Sequence, residues 1–392
     1  MTKKRRSQTA AVRAGIESDA AHGAVVPPIH LSANYAFRGL EQPRDYDYSR
    51  SGNPTRDLLG SALAELEGGV GAVVTNTGMS AITLALTLAE PGERIIAPHD
   101  CYGGTHRLLA AYQRTCRLEV EFIDFTDPGA VERALLRTTR IVWIETPSNP
   151  LLRITDIEAV ARLSRSKGAL VVVDNTFLSP VWQQPIELGA DLVVHSTTKY
   201  LNGHSDVVGG AVIARDSTLL EELDWWGNCL GLTGSPFDSY LTLRGLRSLY
   251  VRMRQHAENT ERVVAALRGH PAVSRLYYPG LPEHSGHALA ARQQRAFGAM
   301  ISIELAGGKP AVRRFLDGLA HFSLAESLGG VESLVAHPDT MTHAGMDPAA
   351  RLAAGITPGL LRLSIGIEAV EDLVKDLAAA LDRAHGRLSA VG

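Results

Sequence analysis

From about residue 54 the chain alternates short, mostly apolar, β-rich runs with stretches of helical periodicity, and no other feature restricts the fold as strongly. The strand-like runs are GAVVT (71–75), RIIAP (94–98), VEFID (120–124), IVWIE (141–145), ALVVVD (169–174), ADLVVHS (190–196) and GGAVIA (209–214), separated by helix-like segments such as MSAITLALTLA and DIEAVARLSRSKG. Strands that are apolar along their whole length are buried on both faces. The pattern therefore predicts an α/β fold with a mostly parallel central sheet covered by helices, and ligands beyond the carboxyl ends of the strands. A long helical stretch then leads to AMISIELAG (299–307), LLRLSIGIE (360–368) and a last helix, which read as a smaller α+β C-terminal domain. A chain of 392 residues is long enough for two cores. The expected division is an irregular N-terminal arm over 1–56 that packs on something else, a ligand domain over 57–256 and the α+β domain over 257–392.

Composition narrows the class. A net charge of −3 offers no electrostatic case for nucleic acid or an acidic membrane, so a small-molecule partner is expected. The cysteines, Cys101, Cys116 and Cys229, lack CxxC spacing, which argues against a disulfide framework or a structural zinc site and fits a reducing compartment. The histidines lack HExxH or ligand-spaced companions, so no metal is expected. The basic opening MTKKRRS is followed by charges where a signal peptide has an apolar core, and no apolar run is long enough to span a bilayer. The chain reads as cytoplasmic, with a mobile basic head.

Several strand ends carry residues with chemical potential. Asp174 closes ALVVVD, where it is either a solvated turn former or an anion in need of a cation. Lys199, one of only six lysines, follows the run ending at His195, with Ser196 and Thr198 before it. In TNTGMSA a strand runs through Gly78 and Met79 directly into a helix, so free N–H groups of the first turn point beyond the sheet edge; this is an anion site or a plain cap. Tyr102 follows RIIAP beside two glycines and is a core-edge aromatic or a platform for a planar ligand. Arg362 alternates with Leu361 and Leu363 and is either solvated or a two-pronged clamp for a carboxylate. No dinucleotide or triphosphate loop and no hydrolase elbow is present. One hypothesis needs all five features together. A lysine that forms a Schiff base, an aspartate for a pyridinium nitrogen, an aromatic platform, a phosphate cup and an arginine for a carboxylate are the parts of a pyridoxal phosphate enzyme.

The segments DYSRSGNPTR (47–56), TNTGMSA, CYGGTHRL, ETPSNPLLR, VVDNTFLSP, HSTTKYLNGHSDVVGG, AESLGGVESL (325–334) and MTHAGM resemble the Cys/Met-metabolism family of pyridoxal phosphate enzymes over essentially the whole chain. The resemblance implies pyridoxal 5′-phosphate as cofactor, the fold type I (aspartate-aminotransferase-like) architecture, and a homotetramer built as a dimer of tight dimers with shared active sites. Carried over, Lys199 holds the cofactor and shuttles protons, Asp174 pairs with the pyridinium, and Tyr102 stacks on the ring. Gly78 and Met79 through N–H, with the Ser196 and Thr198 hydroxyls, hold the phosphate. Tyr48 and Arg50 reach the phosphate of the neighbouring subunit, which accounts for the arm. Arg362, Asn149 and Ser327 bind the substrate carboxylate, with Glu326, Arg107 and Asp47 as further substrate residues. Glu326 in AESLGG and Gly104 in CYGGT point away from the β-lyase and methionine γ-lyase branches. The implied reaction is γ-replacement of the acyl group of an O-acylhomoserine by L-cysteine to give cystathionine. The alternative is γ-elimination of cystathionine, and Ser51, where a second arginine would suit a succinyl group, leaves the acyl group open.

Overall fold

A computed structural model describes residues 5–386. Residues 1–4 of the expected basic head lie outside that range. Strands β1 (Gly71–Thr75), β2 (Arg94–Pro98), β3 (Glu119–Ile123), β4 (Ile141–Glu145), β5 (Leu170–Asp174), β6 (Leu192–His195) and β7 (Gly210–Ala214) form a seven-stranded sheet of order β1-β7-β6-β5-β4-β2-β3. A second sheet of order β10-β11-β12-β9-β8 contains β8 (Val273–Tyr277), β9 (Met300–Leu305), β10 (Ser323–Leu324), β11 (Leu334–Ala336) and β12 (Leu360–Ser364). The chain divides into two compact units, one of Met1–Arg94, Thr138–Trp143 and Ile157–Tyr250, the other of Ile95–Arg137, Ile144–Asp156 and Val251–Gly392.

In the first unit β5 and β6 run parallel, with Asp174 opposite Val194, while β7 runs antiparallel to both β6 and β1. Two reversals cancel. The carboxyl ends of β1, β5 and β6 therefore share one rim, where Thr75 faces Gly210 and His195 faces Ala211 across β7. An antiparallel pair needs no crossover helix, so the connection 196–209 between β6 and β7 can remain at that rim. The helix Pro54–Glu67 begins as its sequence requires: Asn53 caps it by accepting from Thr55 N–H and Arg56 N–H, and Pro54 occupies the first turn. Ahead of it, residues 5–53 hold one short helix, Ser7–Val12, and two isolated bridges. Val25, Leu31, Phe37 and Leu40 in this stretch are exposed, Leu40 at 91%.

In the second unit, alternation along β12 sends Leu361 and Leu363 into a core with Ile301, Ile303, Phe315, Leu377 and Leu381, and leaves Arg362 on the opposite face. His256, fully buried in the helix Leu249–Leu267, donates from Nδ1 to the Ile365 carbonyl at 2.7 Å. Burial pushes its pKa down to about 4. Because the folded value lies below the imidazole's ordinary 6.5, the unfolded chain binds the extra proton first as pH falls. The stability that neutral His256 contributes is therefore lost on acidification from about 6.5 towards 4. The thermal midpoint should drop between about pH 7 and pH 5, and the drop should be smaller in His256→Asn, whose amide can replace the Nδ1 donor. An equal drop in the variant would exclude His256 as a contributor.

Candidate active site

At the rim of the first unit, β1 runs through Asn76 into the helix Gly78–Leu86, capped by Thr77, whose hydroxyl oxygen accepts from Ser80 N–H. Gly78 N–H and Met79 N–H make no hydrogen bond among the described residues. A Cβ on Gly78 would lie 2.8 Å from Ser196 Cβ and 2.9 Å from its Oγ, so only glycine lets the helix start approach Ser196 this closely. Gly210 is constrained in the same way, since a Cβ there would sit 2.3 Å from the Thr77 carbonyl oxygen. Two free N–H groups beside a serine hydroxyl form a cradle for a phosphate.

The connection carrying Lys199 folds back on itself. Thr197 N–H donates to the Gly209 carbonyl at 3.0 Å, Lys199 N–H to the Ser196 carbonyl at 3.3 Å, and Gly203 N–H to the Lys199 carbonyl at 2.8 Å. The Thr198 hydroxyl donates to the Gly209 carbonyl at 3.2 Å and accepts from Gly209 N–H at 3.0 Å, so it must turn to serve a phosphate. Thr176 ties this loop to Asp174: its N–H donates to Asp174 Oδ1 at 3.0 Å and its hydroxyl oxygen accepts from Ser196 N–H at 2.9 Å. Burial pushes the Asp174 carboxyl up, while the Thr176 hydrogen bonds and the proximity of His195 pull it back down. No lysine or arginine pairs with Asp174 among the described residues. A half-buried carboxylate at the strand end, next to an anion cradle, has the donor and acceptor chemistry that a pyridinium phosphate demands. Pyridoxal phosphate fits these residues.

The second unit assembles another cluster. Arg362 is 3% exposed and donates from Nη1 to Asn149 Oδ1 at 3.0 Å and from Nη2 to the Ser327 carbonyl at 2.7 Å. Ser327 thus meets Arg362 through its main chain, held at a φ of 90° that an L-residue adopts only under constraint. Glu145 closes β4 and joins two sequence-predicted residues, accepting from Tyr102 N–H at Oε2 (2.7 Å) and from Asn149 N–H at Oε1 (3.2 Å). His343 Nε2 bonds the Asn149 carbonyl at 3.0 Å, and its Nδ1 bonds the Thr342 hydroxyl at 2.9 Å. Burial, with help from the charge of Arg362, pushes His343 down to about 4, so a neutral ring donates from Nε2 to the carbonyl and accepts at Nδ1. Tyr102, itself 39% exposed, is pushed up, chiefly by partial desolvation of its phenol, with Arg107 and Arg362 pulling the other way and Glu326 and Glu145 adding to the rise. It is a phenol at neutral pH.

The remaining predicted residues are exposed. Arg107 and Glu326 lie on the surface of the second unit. In the first, Asp47 accepts from Tyr48 N–H, and Arg50 stacks over the Tyr48 ring at 5.6 Å while donating to the Asn228 carbonyl and Oδ1 at 2.9 and 2.7 Å. Buried Arg56 anchors their turn by donating to the Ser49 and Arg50 carbonyls. Sequence reasoning does not single out Glu145, Thr176 or Arg56, and it sets His343 aside with the other histidines. Glu145 offered the signal used for Asp174, a carboxylate closing an all-apolar strand. Nothing in MTHAGM reveals that His343 is bonded to Asn149, because that pairing joins residues far apart in sequence.

A family model described as Cys/Met metabolism PLP-dependent enzyme matches residues 8–382. Cystathionine gamma-synthase of Escherichia coli (strain K12) is 57% identical over 374 residues, covering 95% of this chain and 97% of that protein. Cystathionine beta-lyase of Coxiella burnetii is 45% identical over 381 residues, covering 97% and 98%. Cystathionine gamma synthase from Xanthomonas oryzae pv. oryzae, solved in complex with aminoacrylate and cysteine, superposes with a TM-score of 0.97 at 60% identity, covering 98% of this chain and 100% of that one. A rim whose residues fit a pyridinium phosphate, a mixed α/β fold around a central sheet, and similarity along nearly the whole chain agree: the protein belongs to the Cys/Met metabolism family of pyridoxal-phosphate-dependent enzymes.

Proposed function

We propose that the protein is a cystathionine γ-synthase, which replaces the acyl group of an O-acylhomoserine, O-succinylhomoserine first among them, by L-cysteine. The choice among the family's reactions is carried by the greater identity to the synthase than to the β-lyase. When bound, pyridoxal phosphate supplies the electron sink that lets substrate Cα and Cβ lose protons. Lys199 holds the cofactor through its amine. Its amine, once free, would take the Cα proton and then carry protons to and from Cβ. The Cγ–O bond breaks with release of the carboxylate, the Cγ–S bond forms with cysteine, and the thiol proton leaves to solvent. Asp174 would accept a hydrogen bond from the ring nitrogen and so favour its protonated form. Gly78 and Met79 N–H, with Ser196 and Thr198, hold the phosphate. Arg362, backed by Asn149 and Ser327, clamps the α-carboxylate. Tyr102 supplies an aromatic platform, and its phenol becomes a base only when a neighbouring positive charge offsets its burial. Arg107, Glu326 and Asp47 contact the rest of the substrate.

The exposed apolar arm before Pro54 suits burial against a second copy, with Tyr48 and Arg50 offered to the neighbour's phosphate in a homotetramer. No helix among the described residues is long and apolar enough to cross a membrane, and we place the enzyme in the cytoplasm. The competing reading is γ-elimination of cystathionine. Steady-state rates decide between them. O-Succinylhomoserine plus cysteine should yield cystathionine faster than cystathionine alone yields 2-oxobutanoate, and the acetyl and phospho esters should be slower donors. Faster cleavage than synthesis would make the protein a γ-lyase.

A further inference from the structure

Behind the Asp174 rim lies a buried polar knot that the reaction above does not use. Glu67, the last residue of the helix Pro54–Glu67, and His195, the last of β6, are both essentially fully buried and meet at 2.5 Å between Oε1 and Nε2. Asn175, the residue after Asp174, donates from Nδ2 to the same Glu67 oxygen at 2.8 Å and to the Gln183 carbonyl at 2.9 Å, while Gln183 Nε2 returns a bond to Asn175 Oδ1 at 3.1 Å. Asn175 N–H also donates to the Val194 carbonyl at 3.0 Å, locking the ends of β5 and β6 together. Yet the knot is incompletely satisfied. Glu67 Oε2 and His195 Nδ1 are buried without a hydrogen-bond partner.

A buried carboxylate left half-bonded is expensive, and an apolar pair of the same shape would hold the strand ends at lower cost. An acid and an imidazole retained there, incompletely bonded, call for a task beyond packing. The nearest such task is next door. Asp174 lies opposite Val194, one residue before His195, and its carboxylate senses the His195 ring against the cost of its own burial. We propose that Glu67, acting through His195 and Asn175, is a positioning residue for Asp174: the buried knot fixes the strand end so that the Asp174 carboxylate is held for the ring nitrogen of pyridoxal phosphate. The knot's role rests on the assignment of Asp174 to that nitrogen and is independent of which homoserine ester is used.

Glu67→Gln separates charge from shape, because the amide keeps an oxygen for His195 and Asn175. Apoenzyme of the variant, titrated with pyridoxal phosphate, should bind it roughly tenfold or more weakly, the size that supporting-shell changes commonly produce. The visible absorption band of the bound cofactor should also be displaced from the wild-type position. His195→Gln, a second route to the same reading should Glu67→Gln fail to fold, should move both quantities in the same direction. In an Asp174→Asn background, Glu67→Gln should add little, since its effect passes through Asp174. Wild-type affinity and spectrum in Glu67→Gln and His195→Gln, with both altered in Asp174→Asn, would overturn the knot's role and leave the Asp174 assignment standing. An unaltered Asp174→Asn would instead remove that assignment, and undiminished effects in the double variant would show that Glu67 acts elsewhere.

Discussion

Lys199→Ala protein should retain no cofactor carbon after borohydride reduction and denaturation, and its turnover should fall by at least about a thousandfold. Wild-type protein treated in parallel should carry one reduced adduct, on Lys199. The expectation rests on place as well as on residue type. Lys167, Lys309 and Lys375 are all exposed, whereas Lys199 is half-buried in the connection between β6 and β7, three residues after Ser196 and on the rim that holds Asp174. On the roles proposed for Lys199, alanine removes the covalent link and the proton carrier together, so the loss should appear in kcat and exceed any loss in substrate affinity. Added primary amines should restore part of the proton transfer without restoring the adduct. Retained turnover, or a reduced adduct on another lysine, would sink the assignment.

The rim was legible because parallel sheets impose one rule on every strand. Asp174, Lys199 and the Gly78 turn each follow an all-apolar run, and such runs end at the edge where ligands bind. The strand starting at Ile141 ends at Glu145 as expected, and the run at 94–98 coincides with β2. The helix Gly78–Leu86 that follows β1 ends before the helix-like run MSAITLALTLA does, a fraying-scale difference that periodicity does not resolve. What the sequence did not disclose is partnership. Glu145 joins Tyr102 to Asn149, His343 holds the Asn149 carbonyl, and Glu67 meets His195 across 128 positions of chain. Each partner is ordinary alone; a buried His looks like a core residue until its acceptor is seen. The Ser327 carbonyl, rather than a side chain, facing Arg362 is likewise a product of backbone conformation at a positive φ, which no motif spells out.

Arg362→Lys should lower kcat/KM for the amino-acid substrate by about a hundredfold, with most of the loss in KM. Both variants are cationic, so charge alone does not distinguish them. Arginine holds Asn149 Oδ1 and the Ser327 carbonyl with two different nitrogens and is thereby oriented before substrate arrives. A lysine ammonium is shorter, lacks the planar fork, and cannot keep both contacts while meeting two carboxylate oxygens. Its site is also dry: with Arg362, Asn149 and His343 all buried, a misplaced cation finds no water to compensate it. Pyridoxal phosphate affinity and the cofactor spectrum should stay near wild type if Arg362 has the proposed role toward the substrate carboxylate and none toward the phosphate. The same reasoning sets a specificity test. Wild-type protein should prefer an α-carboxylate strongly over the corresponding α-carboxamide, and Arg362→Lys should narrow that preference. An unchanged KM, or an undiminished preference for the carboxylate, would show that another group clamps the substrate.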